Sequence, residues 1–331
     1  MVINKWTNII IIIILSIILW GCNNIKKIEK EKFFFGTLVK IIVYDEDIKK
    51  SDFAIEKAFL EMERIDNKIN GHTQKSEVDK INNNAGYFIE ISDETLDLIK
   101  KSKEISELTN GKYDITLEPV FELWNFKEGR DTLPESKKME EKLKLVNYED
   151  IIIDGNKVKL VKKGQKLDLS SFLKGYAILR AKKELEKNGI VAGFISSISS
   201  IEVFGEKPNN ELWKIGIQNP EKPTQLFKIL NLKDKGIGVS GDYQTYIEIK
   251  GKKYHHILNA KTGYPIRKNK MVLIIAENSY IADLYSTALF TVDTNRIIKI
   301  VNGVENLEVM VVDQNMKIFY SENMKKYLKK E

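Results

Sequence analysis

The chain has 331 residues, of which 43% are hydrophobic, and its formal net charge is +6. This length allows one large domain or two closely associated ones, and a single cysteine excludes internal disulfide bonds as a source of stability. Its lysines are interleaved with acidic residues, as is typical of a solvated surface, which argues against a nucleic-acid-binding protein.

The first residues have the layout of a signal peptide. An apolar stretch from Ile9 to Trp20 leads to Gly21 and Cys22. The stretch is about a dozen residues long, whereas a helix that spans a membrane needs roughly twenty. Cys22 resembles the acylated cysteine of a bacterial lipobox, although that motif usually has a small residue where Trp20 stands. We therefore predict a signal peptide over 1–21 and a lipid on Cys22; the alternative is an uncleaved anchor with an inert cysteine.

The charged residues 22–32 are predicted to form a tether in front of a folded domain that spans 33–331. Periodicity and turn residues predict the elements of that domain. In chain order they are a strand over 33–44, helices over 54–69 and 93–108, a helix over 136–145 with Ser136 as a possible N-cap, a hairpin around Asp154-Gly155, a helix over 172–188 that ends at Gly189, strands at 193–204, 212–217, 228–232, 245–249, 271–276 and 308–319, and helices at 279–290 and 294–302. Without regular βα alternation, the mixture predicts an α+β fold.

Two adjacent histidines follow a segment that begins Ser240-Gly241-Asp242-Tyr243. His255 and His256 precede the turn signal Lys261-Thr262-Gly263. Because neighbours on a strand point to opposite faces, at most one of the two histidines faces a given site. Such a histidine is a candidate general base near neutral pH, and the alternative is a histidine packed against the edge of the strand.

Asp283 and Thr287 are four residues apart in a predicted helix. Their side-chain oxygens therefore project from one face. A carboxylate and a hydroxyl are hard ligands that suit Mg²⁺, which also takes phosphate oxygens. The alternative is that Asp283 only complements the helix dipole.

A third segment, Asp168-Leu169-Ser170-Ser171, stands where a predicted strand gives way to a helix, with Lys174 one turn further on. Free backbone N–H groups and the positive end of the helix dipole make such a position suitable for an anion. The alternative is that the two serines only cap the helix.

Taken in this order, the three segments closely resemble the ApbE family of flavin transferases, the FAD:protein FMN transferases. The resemblance runs from about Phe35 to Val292, and it implies that family's fold, with mixed, largely antiparallel sheets flanked by helices. Many members are lipoproteins, in agreement with Cys22. The further matching segments are Phe35-Gly36-Thr37, Ser76 to Asn82, and Gly111 to Thr116 with Pro119, Leu123 and Trp124.

The resemblance also implies the site residues. Asp283 and Thr287 would bind Mg²⁺ together with an oxygen of Ser171, and His256 matches the histidine that activates the acceptor threonine. The residues that match FAD contacts of the family are Phe35, His72, Lys112, Tyr113, Asp114, Asp168, Lys174 and Ile257.

The implied activity is transfer of FMN from FAD to a threonine hydroxyl of a partner protein, with release of AMP. The acceptor would carry a Ser/Asp-Gly-Ala/Ser-Thr motif and belong to a membrane redox complex, and the enzyme would be extracytoplasmic and held to a bacterial membrane by its lipid. Three positions depart from the family pattern: Ser170-Ser171 replaces Gly-Gly, Ile198-Ser199-Ser200 replaces Gly-Gly-Asp or Gly-Gly-Asn, and His72 replaces a frequent tyrosine near the flavin. An FAD pyrophosphatase and a non-catalytic, lipid-anchored flavin-binding protein are the competing functions.

Overall fold

The structure is a computed structural model that describes residues 25–126 and 128–329. Its centre is an eight-stranded sheet with the strand order β1-β2-β6-β7-β10-β13-β14-β15, in which every neighbouring pair is antiparallel. These strands are β1 (Lys26–Phe34), β2 (Thr37–Asp45), β6 (Gly193–Ser196), β7 (Ser200–Phe204), β10 (Lys235–Gly241), β13 (Asn269–Ala276), β14 (Glu308–Asp313) and β15 (Ile318–Tyr320).

Three smaller sheets complete the strands. They are β3 (Ile89–Glu90) with β5 (Lys157–Leu160) and β4 (Ile151–Asp154), then β8 (Trp213–Gln218) with β9 (Leu226–Leu232), and β11 (Tyr246–Ile249) with β12 (Lys252–His255). All of their strand pairs are antiparallel as well. The predicted α+β class with largely antiparallel sheets is therefore confirmed.

The α-helices in the described ranges are α1 (Ile48–Ile69), α2 (Glu77–Asn83), α3 (Asp93–Leu108), α4 (Glu118–Trp124), α5 (Ser136–Leu143), α6 (Ser170–Lys187), α7 (Ser279–Phe290) and α8 (Thr294–Asn302). Three of them, α3, α7 and α8, have the predicted bounds. Ser136 is the first residue of α5 and not its N-cap, because Glu135 occupies that position without a side-chain capping bond. None of the described helices is both long and apolar enough to cross a membrane.

The first strand begins earlier than predicted. β1 pairs with β2 along its whole length, around a two-residue turn in which Phe35 and Gly36 have φ of +50° and +73°. Residues 26–32, predicted as part of the tether, therefore belong to the sheet. Their charge is compatible with an edge strand because Lys30 forms an ion pair with Asp52 of α1 at 3.0 Å. The predicted signal peptide and Cys22 lie outside the described residues.

Three hydrophobic cores hold these layers together. The main core lies between one face of the large sheet and helices α1, α6 and α7. A second core lies under the β8–β9 hairpin, around Trp213 and Met271. A third joins α4 and α5 to the β11–β12 hairpin around Trp124, and this hairpin ends at His255, directly before His256.

Candidate active site

Three glycines bring α6, α7 and β10 to within backbone contact of one another. A Cβ atom on Gly238 of β10 would lie 2.3 Å from the carbonyl oxygen of Ala282, and one on Gly236 would lie 2.0 Å from the carbonyl carbon of Asn278. A Cβ atom on Gly175 of α6 would lie 2.6 Å from Cβ of Asp283. Only glycine allows this approach, which places Asp283 at the junction of the three elements.

Asp283 is almost completely buried at this junction, with 3% of its surface exposed. One carboxylate oxygen, Oδ2, accepts a hydrogen bond of 3.0 Å from the backbone N–H of Gly175. Burial raises the pKa of Asp283, and the positive charge of Lys174 opposes this shift. The Ser200 hydroxyl also opposes the rise in the pKa of Asp283, although the contact between the two side chains does not have the geometry of a regular hydrogen bond. The buried Oγ of Ser200 has no other hydrogen-bond partner among the described residues. A cation bound here would stabilise the ionised carboxylate further.

Oxygen atoms of different chemical types meet next to Asp283. Thr287, one turn further along α7, donates a hydrogen bond of 3.3 Å to the backbone carbonyl oxygen of Ser171. Its Oγ1 is also 3.1 Å from Oγ of Ser240 in β10. Carboxylate, hydroxyl and carbonyl oxygens form the hard donor set that Mg²⁺ prefers, so the three predicted ligand residues fit this ion. The side chain of Ser171 points elsewhere, because its Oγ lies 3.0 Å from the hydroxyl of buried Tyr113.

The start of α6 lies beside this oxygen cluster. Asp168 accepts hydrogen bonds from the backbone N–H and the hydroxyl of Ser170, at 2.8 and 2.7 Å. Because the Ser171 hydroxyl contacts Tyr113, neither serine side chain caps the helix. The alternative interpretation, in which the two serines only cap the helix, is therefore wrong. Half-buried Lys174 lowers the pKa of both His256 and Asp283 and has no carboxylate within 4.0 Å in the described ranges. Its charge is therefore available to an anionic ligand.

The two adjacent histidines have opposite surroundings. Buried His255 donates from Nε2 to the carbonyl oxygen of Ile266 at 2.5 Å, and its Nδ1 accepts from the N–H of Ile257 at 3.2 Å. His256, on the other face, lies with Nδ1 at 3.1 Å from the carbonyl oxygen of Thr245. A carbonyl can only accept, so this bond requires the proton on Nδ1 and leaves the lone pair of Nε2 available.

The protonation state of His256 suits a proton acceptor. Burial lowers its pKa to about 4, the hydrogen bond to Thr245 opposes the shift, and the positive charge of Lys174 adds to it. The imidazole is consequently neutral at pH 7. Of the two predicted histidines, His256 has the geometry of a general base and His255 has a structural role.

Among the predicted FAD contacts, Asp114 has both carboxylate oxygens engaged within the protein. It accepts from Thr116 Oγ1 at 2.6 Å and from the N–H of Tyr148 at 2.8 Å, and its role in the structure is to order this loop. The other predicted contacts lie as follows: Lys112 pairs with Asp293 at 3.3 Å, Ile257 belongs to the main core, and Phe35 packs against that core from the β1–β2 turn.

His72 and Asp168 line a polar cavity of about 130 Å³. Together with Glu118 they offer three ligand atoms that lie within 4.8 Å of one another, and Nδ1 of His72 is 3.9 Å from Oε1 of Glu118. Glu118, Ser240 and the glycines of β10 were not among the residues predicted for the site. The sequence signal for the close contact with β10 was the pair Gly236 and Gly238, because glycines two residues apart lie on the same face of a strand.

The comparisons with known proteins agree with this architecture. Residues 35–311 match the model of the ApbE family. The FAD:protein FMN transferase of Klebsiella pneumoniae is 25% identical over 289 residues, which are 86% of this chain and 88% of that protein. The corresponding protein of Haemophilus influenzae is 27% identical over 272 residues, or 78% of each chain.

Two solved structures have the same fold. The ApbE protein of Thermotoga maritima superposes with a TM-score of 0.85 and 31% identity, over 92% of this chain and 100% of that one. The flavin transferase ApbE of Vibrio cholerae gives a TM-score of 0.81 with 22% identity, again over 92% and 100%, which supports the fold alone. With the family model matched from the β1–β2 turn to β14, this chain belongs to the ApbE family.

Proposed function

We propose that this protein is a Mg²⁺-dependent FAD:protein FMN transferase that moves FMN from FAD to a threonine hydroxyl and releases AMP. The observation that carries the proposal is the combination of Asp283, Thr287 and the Ser171 carbonyl with a neutral His256 and with Lys174, which pairs with no carboxylate of the described residues. Membership of the ApbE family and the names of the curated relatives support the same activity.

The oxygen cluster and Lys174 would bind the pyrophosphate of FAD. Mg²⁺ held by Asp283, Thr287 and the Ser171 carbonyl would supply charge neutralisation of the pyrophosphate and polarisation of its P–O bonds. Lys174, whose field reaches both Asp283 and His256, adds a fixed positive charge at the same place. Together these groups would lower the energy of the negative charge that develops on the phosphate oxygens during transfer.

His256 would activate the acceptor. Its Nε2 takes the proton of the threonine hydroxyl while the hydroxyl oxygen attacks the phosphorus of the FMN half. The bond between that phosphorus and the bridging oxygen breaks, AMP leaves with this oxygen, and the product is a threonine phosphoester of FMN. The bond from Nδ1 to the Thr245 carbonyl holds the imidazole in the tautomer that this step needs.

The location and the partner are part of the proposal. A lipid on Cys22 would hold the enzyme at the extracytoplasmic side of a bacterial membrane. The acceptor would be a subunit of a membrane redox complex with its threonine in a Ser/Asp-Gly-Ala/Ser-Thr motif. Both statements rest on the sequence pattern around Cys22 and on the family resemblance.

The test is a transfer assay with the chain that lacks residues 1–22, FAD, Mg²⁺ and an acceptor fragment. We expect flavin fluorescence that comigrates with the fragment on a denaturing gel. His256→Ala should lose roughly 10²- to 10⁴-fold in transfer rate and still bind FAD, because a general base typically contributes that much. Lys253→Ala, on the exposed side of the same hairpin, is the matched control.

Two outcomes would contradict the proposal. AMP release at the same rate without the acceptor fragment would identify an FAD pyrophosphatase, in which water replaces threonine. FAD that stays intact for hours with Mg²⁺ and acceptor present would identify a flavin-binding protein without catalytic activity.

A further inference from the structure

An ion pair with a buried carboxylate lies next to the proposed cation site. Glu202 of β7 is completely buried, and its Oε1 lies 3.0 Å from Nζ of Lys182 in α6. Burial raises the pKa of Glu202, and Lys182 opposes this shift. Such pairs add little net stability, because the cost of removing two charges from water is about as large as their attraction. An apolar pair would have filled the same space.

The second oxygen of Glu202 contacts the start of α7. Its Oε2 accepts a hydrogen bond of 2.5 Å from the backbone N–H of Ser279, the first residue of that helix. The first N–H groups of a helix have no partner within the helix, and a carboxylate at this end is favoured by the helix dipole. Glu202 therefore determines where the first turn of α7 lies relative to the sheet.

The hydrogen bonds continue from Ser279 to the predicted cation ligand. Ser279 Oγ donates to the carbonyl oxygen of Gly175 at 2.9 Å, and the N–H of Gly175 donates to Oδ2 of Asp283 at 3.0 Å. One continuous chain of polar contacts thus crosses α6, β7 and α7, and all of its members except Lys182 are buried: Lys182, Glu202, Ser279, Gly175 and Asp283. The glycine contacts of α7 are close but not directional, whereas these hydrogen bonds fix its rotation and its register along the sheet.

We propose that Glu202 is a positioning residue, which holds α7 through Ser279 so that the Asp283 carboxylate is oriented for a divalent cation; Lys182 is its counter-ion. This inference rests on the proposed function, since it assumes a cation at Asp283. It assigns the oxygen of Glu202 to the geometry of the site, whereas a purely structural residue would affect only the stability of the fold.

The test compares two double variants that both remove the two charges of the pair. Lys182→Met/Glu202→Gln keeps an oxygen that can accept from the Ser279 N–H, and Lys182→Met/Glu202→Leu does not. Binding of Mn²⁺, as a probe for Mg²⁺, is measured by the electron paramagnetic resonance signal of the free ion, with the chain from Cys22 onwards and without FAD. We expect the Leu variant to bind Mn²⁺ at least about tenfold more weakly than wild type, and the Gln variant to stay within about threefold.

Glu94→Gln controls for lost stability alone. Glu94 pairs with Arg64 and Lys68 in another partly buried ion cluster, which contacts α6 but makes no bond to Ser279 or Gly175. Glu94→Gln should lower the midpoint temperature of thermal unfolding and leave the affinity for Mn²⁺ unchanged. Ser279→Ala, which removes one hydroxyl, is a second variant in case the Leu variant does not fold, and it should weaken Mn²⁺ binding at least about threefold.

Each result decides the inference. Wild-type Mn²⁺ affinity in the Leu variant or in Ser279→Ala, or equal losses in both double variants, would overturn the positioning role and leave the proposed function intact. A wild-type protein that binds no Mn²⁺ would instead overturn the cation site, and the positioning role with it.

Discussion

His255 and His256 differ in their hydrogen bonds because the backbone gives each ring a different fixed partner. His255 is bonded at both nitrogens, to the Ile266 carbonyl and the Ile257 N–H, and its ring packs edge-on against Phe290. His256 is bonded at Nδ1 only, to the Thr245 carbonyl. The alternation of side chains along a strand predicts that the two face different ways, but it does not predict which of them meets solvent and substrate.

The buried ring of His255 makes stability depend on pH. Burial lowers its pKa to about 4, from an ordinary value of 6.5, so the unfolded chain binds this proton more readily than the folded protein. The stabilising contribution is therefore complete above pH 6.5 and is lost as the pH falls towards 4, by up to about 3 kcal/mol. His255→Gln, which can still donate to the Ile266 carbonyl but does not titrate, should show a shallower fall. Urea unfolding between pH 7 and 4 measures this; equal slopes for the two proteins would contradict it.

At the scale of elements, the position of the proposed cation ligands depends on how closely α7 lies on β10. Gly236 and Gly238 permit that contact, and Gly175 permits the contact with α6. Larger side chains at these positions would move the helix away from the sheet by about the length of a side chain. The separation between Asp283 and the Ser240 and Ser200 hydroxyls would then increase.

A methyl group at Gly238 should force these elements apart. Its Cβ would meet the Ala282 carbonyl at 2.3 Å, so we expect Gly238→Ala to lower the free energy of unfolding by about 1–3 kcal/mol, as overpacked cores do. Gly303→Ala is the matched control, because a Cβ there has no neighbour closer than 3.5 Å and its φ is −94°. Urea unfolding that ranks the two variants equally would contradict this explanation of the close contact.

The helices and strands that the sequence predicted well are those with a strong apolar period. The bounds of α3 and α8 were correct because each presents a regular apolar face, and those of α7 because it is an apolar helix buried on most of its sides. Strand β10 was not predicted, because the glycines at 236, 238 and 241 weaken the apolar pattern of a strand. Gly236 and Gly238 allow the backbone of α7 to lie close to the strand instead of packing a side chain against it. The hairpins at 193–204 and 308–319 were predicted as single strands, because the turns within them break the apolar pattern only briefly.

The candidate site was predictable only in its local parts. Asp283 and Thr287 follow from their spacing on a helix, and the family resemblance added the Ser171 oxygen and His256. The partners of these residues come from distant parts of the chain: Ser240 reaches Thr287 from β10, and Glu202 reaches α7 from β7. No local pattern encodes such contacts, because they depend on which strands are neighbours in the sheet.

At the scale of the whole molecule, the proposed base and the proposed cation ligands belong to different cores. Asp283 and Thr287 lie on a helix of the main core, whereas His256 follows a hairpin that packs on the third core. Trp124, stacked on Phe126, links that core to the loop after His256 by donating from Nε1 to the Gly263 carbonyl at 2.7 Å. The candidate site thus draws its residues from two packing units.

The folded domain begins close to the predicted lipid. Cys22 and Lys26, the first residue of β1, are four residues apart, so a fully extended chain would separate them by at most ~14 Å. We expect Cys22→Ser to move the protein from the membrane fraction to the soluble fraction of cells, because no acyl chain would remain on the mature N-terminus. Fractionation of cells that express each form measures this. Equal membrane association of the two forms would favour an uncleaved apolar anchor.

The most direct measurement of the central claim is the affinity for FAD, with and without Mg²⁺, by titration calorimetry of the wild type, Asp283→Asn and the exposed control Asp97→Asn. If Asp283 binds the cation that holds the pyrophosphate, Mg²⁺ should tighten FAD binding at least about tenfold in wild type and control, and a chelator or Asp283→Asn should abolish the gain. FAD binding that is equally tight with chelator, or in Asp283→Asn, would contradict a cation site at Asp283.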